Sequence, residues 1–106
     1  MKILMDECLP HDFRHCFPTH EVHSVQWAGF KGKKNGQLIR AAESAGYEVL
    51  LTVDQSIAYQ QNVKVMRLSM VLIRSKTNQL EDLTPLVDSI LKALKRVAPG
   101  SPVSVG

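Results

Sequence analysis

Three carboxylates follow closely on short apolar runs. Asp6 and Glu7 come directly after Lys2-Ile3-Leu4-Met5, and Asp54 stands two residues beyond Val49-Leu50-Leu51-Thr52. In open sheets of parallel strands, ligands bind beyond the carboxyl ends of the strands, so residues in these positions share one rim. Carboxylates brought together there repel one another unless a cation neutralises them. The arrangement therefore points to Mg²⁺ or Mn²⁺ held by oxygen ligands, which would activate water and offset charge at a phosphodiester. The plain alternative is local: an Asp after a strand often caps the next helix, and Asp54-Gln55-Ser56 reads equally as an N-cap.

Other polar residues fit a phosphate or an RNA base edge. Arg74 and Asn78 follow the fourth apolar run, and Gln60 and Asn62 follow the third. All four offer hydrogen-bond donors, toward a substrate or toward loop backbone. Lys31, Lys33 and Lys34 form a short basic run that could track a phosphate backbone or simply be solvated. Trp27, Phe30 and Tyr59 are candidates for base stacking or for the core. Cys8, His11, His15 and Cys16 make a poor zinc site, since no CxxC pair is present and Cys16 lies on a different helix face from His11 and His15. His20-Glu21-Val22-His23 has one residue too few for the zinc-protease motif.

The elements that must position these residues alternate between strand and helix, the pattern of a mainly parallel central sheet flanked by helices in an α/β fold. Strands are expected at 2–5, 21–25, 48–52 and 67–74, with a short edge strand at 103–105 after the Pro99-Gly100-Ser101-Pro102 turn. Pro10 suits the first turn of a short helix carrying Phe13 and Phe17, which Pro18 stops. Asn35 is expected to cap a helix that Gly46 ends near Ala45. Leu83, Leu86, Val87, Ile90, Leu91 and Leu94 lay an apolar stripe along a helix expected from Asp82 to Val97.

The bulk numbers agree with one such domain over residues 1–106. Hydrophobic residues make up 44% and charged residues 22% of the 106, an ordinary globular balance rather than that of a disordered chain. Thirteen Lys and Arg against ten Asp and Glu leave a formal charge of +3, which permits a polyanionic partner without demanding one. No apolar run approaches the roughly 20 residues that span a bilayer, and Asp6-Glu7 interrupts any signal-peptide core. A cytoplasmic protein without membrane contact is expected, with Cys8 and Cys16 as free thiols.

Several segments together resemble the small bacterial PIN-like proteins related to VapC-type toxins. The resemblance rests on Ile3-Leu4-Met5-Asp6-Glu7-Cys8-Leu9-Pro10, His20-Glu21-Val22, Trp27-Ala28-Gly29, Lys34-Asn35-Gly36-Gln37-Leu38 and Leu51-Thr52-Val53-Asp54. Tyr59-Gln60-Gln61-Asn62 and Arg74-Ser75-Lys76-Thr77-Asn78 extend it over nearly the whole chain. It implies a PIN-like fold and a ribonuclease dependent on Mg²⁺ or Mn²⁺. The implied metal ligands are Asp6 and Asp54, with Glu7 as a compensating donor and Gln37 assisting. Arg74, Asn78, Gln60, Asn62 and Asn35 fall to substrate binding. The implied partners are RNA, an antitoxin protein and a second copy of the chain. Gln37 stands where relatives often have Glu, Asn35 where other branches place Asp, and Ser56 where a second acid follows the third strand. These neutral replacements keep open a second expectation, a non-catalytic module that binds RNA or protein on the same scaffold.

Overall fold

The short apolar runs become strands because they are rich in aliphatic and β-branched residues, are bounded by polar ones, and are too short to make helices. In a computed structural model that describes residues 1–33, 35–57 and 67–106, they are β1 (Lys2–Met5), β2 (Glu21–Ser24), β3 (Val49–Thr52), β4 (Ser69–Ile73) and β5 (Val103–Val105). They pair in the order β2-β1-β3-β4-β5, and every pairing is parallel. β3 and β4 are buried along their whole length, as continuous apolar runs must be when helices cover both faces.

The two-residue alternation of side chains sorts the core into two layers. Ile3, Met5, Val49, Leu51, Val71 and Ile73 face one way and pack with Phe13, Phe17, Leu83, Ile90 and Leu94. Leu4, Leu50, Met70 and Leu72 face the other way, against Leu38, Ile39, Ala42 and Tyr47. Each side chain so buried stabilises the fold by roughly 1.5–3 kcal/mol, before the entropy of ordering it is counted.

Most expected elements are present, with boundaries moved for physical reasons. Pro10 sits just outside the first helix as an extended cap (φ −62°, ψ 139°), and that helix, His11–Cys16, is a 3-10 helix. Phe13 and Phe17 meet edge to face at 5.2 Å and 87° beneath it. β2 ends one residue early because the chain turns at Ser24, whose carbonyl accepts the Ala28 amide (3.0 Å) and whose Oγ accepts the Trp27 amide (3.1 Å). Helix α1 is Asn35–Ser44, so Asn35 is its first residue rather than a cap outside it.

The largest departure is in the C-terminal helix, which starts two residues earlier than expected and is broken. It runs as α2 (Leu80–Leu83), a 3-10 turn (Thr84–Leu86) and α3 (Val87–Leu94). Pro85 has no amide to give the helical ladder, and Thr84 Oγ1 donates back to Leu80 O (2.7 Å), a bond that bends helices. The stripe of apolar residues spans the break and stays on one face. Pro99-Gly100 makes the expected turn: Ser101 N–H donates to Ala98 O (3.2 Å) and Gly100 has φ +80°.

Gly46 ends α1 as its position suggests. Its amide donates to Glu43 O (3.1 Å), and the Tyr47 amide donates to Ala42 O (3.0 Å), the double bond of a Schellman motif with Gly46 at φ +85°. A Cβ built at Gly46 meets only Lys2 Nζ, at 3.9 Å, so any penalty for a larger residue comes from the backbone alone. Gly46→Ala is expected to cost about 1–2 kcal/mol, read as a lower urea midpoint at an unchanged slope. An unchanged midpoint would mean that the turn relaxes without strain.

Candidate functional site

β1 and β3 are neighbours with Met5 paired to Leu51, so their carboxyl ends stop side by side. They also flank the point where the strand order reverses, β2 lying on one side of β1 and β4 beyond β3. Loops leaving adjacent strands at such a point diverge and open a crevice. The Asp6 amide continues the ladder by donating to Leu51 O (2.9 Å).

One buried hydroxyl ties the two strand ends together. Thr52 is 0% exposed, and its Oγ1 donates to Asp6 Oδ2 (2.7 Å) while accepting from the Asp54 amide (3.0 Å). The first of these is a short, charge-assisted bond. Asp6 also accepts the Glu7 amide on Oδ1 (2.9 Å) and the Cys8 thiol on Oδ2 (3.5 Å). Asp54 is exposed, and its Oδ1 accepts both the amide (3.0 Å) and the hydroxyl (2.6 Å) of Ser56. That is the capping arrangement which Asp54-Gln55-Ser56 suggests, made by the same carboxylate that faces the crevice.

The crevice is a cleft of about 270 Å³ lined by Asp6, Glu7, Cys8, Lys33, Leu38, Asp54 and Ile57. It brings together Asp6, Glu7 and Asp54, and adds Lys33 from the basic run. Its wall on α1 is Leu38; Gln37, one residue earlier, is exposed. Among the described residues no group of three or more His, Cys, Asp and Glu is placed to hold a metal ion. Two carboxylates in an open cleft are a donor set that Mg²⁺ can use, since it commonly takes one or two carboxylates from the protein and keeps several waters. Asp6 and Asp54 are the residues that would hold it.

Cys8 has a different part. Burial above all, with the Asp6 carboxylate also acting in that direction, pushes its thiol above the ordinary value, while a backbone hydrogen bond at Val53 opposes the shift. The thiol therefore stays protonated near neutral pH and donates to Asp6 instead of serving as a thiolate nucleophile. Both cysteines are free.

The remaining candidate residues separate. Asn78 Nδ2 donates to Cys8 O (2.8 Å), so its amide fastens the loop after β1 to the loop after β4. Arg74 lines a second cleft of about 260 Å³ with Ser75, Lys76, Asp82, Pro85 and Leu86, whose lining shares no residue with the cleft of Asp6, Glu7 and Asp54. Gln60 and Asn62 lie outside the described residues, as do Lys34, Tyr59 and the side chain of Asn35. Two residues without an assigned part in the sequence prove structural here. Thr52 is one; its signal was a lone polar residue closing an apolar strand. Gln55 is the other, donating to Ile73 O (2.9 Å) and so bracing the end of β3 against β4.

No protein-family model, curated protein or solved structure matches this chain.

Thr52→Val keeps the shape of the side chain but removes the donor to Asp6 and the acceptor for the Asp54 amide. The expected loss is about 1–3 kcal/mol of stability by urea denaturation, with Thr52→Ser recovering most of it. Equal stability of wild type and Thr52→Val would mean that water replaces the hydroxyl at both partners.

Proposed function

We propose that this protein is a PIN-like ribonuclease that uses Mg²⁺ or Mn²⁺, with its active site in the cleft between the ends of β1 and β3. The observation that carries this reading is that Asp6 and Asp54, from loops after adjacent parallel strands, line one cleft, with the Thr52 hydroxyl donating to the Asp6 carboxylate and accepting the Asp54 backbone amide. Glu7 lines the same space as a third carboxylate. A bound divalent cation would supply an activated water and offset charge on the scissile phosphate. Asp6 and Asp54 would hold that ion, and Lys33 would attract the RNA backbone to the cleft. The toxin of a toxin–antitoxin pair is the class of nuclease to which the sequence resemblance points, with an antitoxin protein as partner.

A second reading is a non-catalytic RNA- or protein-binding module. The observation in its favour is the pair of hydrogen bonds from Ser56 to Asp54, which serves the loop without any metal. Gln37 and Ser56, neutral where the resembled pattern is acidic, point the same way.

Incubation of wild type, Asp6→Asn and Asp54→Asn with unstructured RNA, with and without Mn²⁺, separates the two readings. The nuclease reading expects cleavage only with metal. Each variant should lose at least about 10–100-fold in rate, the usual cost of disturbing even an outer partner of a metal. Cleavage that persists undiminished in Asp6→Asn would belong to a contaminant. RNA that is bound but not cut by wild type would establish the module.

A further inference from the structure

The second chemically distinctive place on this molecule lies at the end of β2, next to β1 in the sheet. Trp27 is 66% exposed, the most exposed of the large apolar side chains described, yet it is held in place from several sides. Its backbone amide donates to Ser24 Oγ (3.1 Å). Its ring stacks on His23 with centroids 3.9 Å apart and planes 26° from parallel. His23 is fixed in turn by Tyr47, whose hydroxyl lies 2.9 Å from His23 Nδ1 and whose ring meets the imidazole edge-on at 5.8 Å. The Tyr47 ring also carries the Lys2 ammonium at 4.5 Å.

A large aromatic surface that is ordered and left in water is a platform awaiting a flat ligand, because its ordering cost is met before binding. Beside it is a pocket of about 120 Å³ lined by His11, Arg14, Val22, His23, Ser24 and Trp27. Arg14 donates one Nη1 bond to His11 O (2.9 Å), and its pairing with Asp12, at 3.8 Å, is exposed and weak. A guanidinium presents five donors in a fork that matches phosphate. A nucleotide supplies both a π-face for Trp27 and a phosphate for Arg14.

We propose that Trp27, stacked on His23 and flanked by Arg14 and His11, is a binding site for one nucleotide of a single-stranded nucleic acid. The base stacks on the solvent face of the indole, and the adjoining phosphate is held by the Arg14 guanidinium. This site is separate from the acidic cleft and stands on its own observations, whatever becomes of the nuclease reading.

Trp27 is the sole tryptophan in the chain, so intrinsic tryptophan fluorescence reports this site alone. The Asp6→Asn protein, without added metal, is titrated with ten-nucleotide ribo- and deoxyribo-oligoadenylates, with adenosine monophosphate, and with inorganic phosphate. Saturable quenching by either oligonucleotide is expected, weaker quenching by the mononucleotide, and none by phosphate at the same concentration. In a parallel measurement with end-labelled oligoadenylate, Trp27→Ala should weaken binding about tenfold or more. Arg14→Ala should weaken it and flatten its salt dependence by close to one phosphate contact. Absence of quenching at millimolar oligonucleotide, or unchanged binding by Trp27→Ala, would overturn the proposal. Quenching without any RNA cleavage by wild type would keep this site and remove the nuclease.

Discussion

Five strands that all run the same way put every carboxyl end on one rim, and the function argued for this chain depends on that constraint. Had β1 and β3 been antiparallel, the residues after Met5 and after Thr52 would lie on opposite sides of the molecule. Parallel pairing instead brings Asp6 and Asp54 close enough for one hydroxyl to bond both loops. It also forces helices onto both faces, since parallel strands need crossover connections. The two-layered core of aliphatic and aromatic side chains follows from this.

The rim itself is kept in shape by polar contacts that the core cannot supply. Asn78 reaches Cys8 O, Gln55 reaches Ile73 O, and Thr52 joins the first and third strand ends. Among the described residues, no buried side-chain nitrogen or oxygen lacks a hydrogen bond. A carboxylate such as Asp6 is held in one orientation by its hydrogen-bond partners. The same rim carries the Trp27 platform at the end of β2, so acidic and aromatic chemistry lie along one edge of the sheet.

Much of the fold was legible in the sequence because it follows from local patterns. The apolar runs of β3 and β4, the stop at Gly46 and the Pro99-Gly100 turn are each set by residues within a few positions. Where reading failed, the cause was a competition that pattern alone does not decide. The apolar stripe runs straight past Pro85, so periodicity alone does not show the break between α2 and α3. Arg74 and Asn78 both follow the end of β4 within five residues and look alike as donors. Only the three-dimensional path of the loop sends Asn78 to the Cys8 carbonyl and Arg74 to a different cleft. Thr52 illustrates the reverse case, since a hydroxyl at the end of an apolar strand announces a partner without naming it.

The central claim is that Asp6 and Asp54 together form a divalent-cation site. Calorimetric titration of Mn²⁺ into wild type and into the Asp6→Asn/Asp54→Asn double variant addresses it without reference to any substrate. Loss of both carboxylates keeps side-chain size and removes the charge that a hard cation requires. The expected result is one saturable binding event per wild-type chain and none in the double variant. Equal heats from the two proteins, or no binding by wild type at millimolar Mn²⁺, would contradict the account.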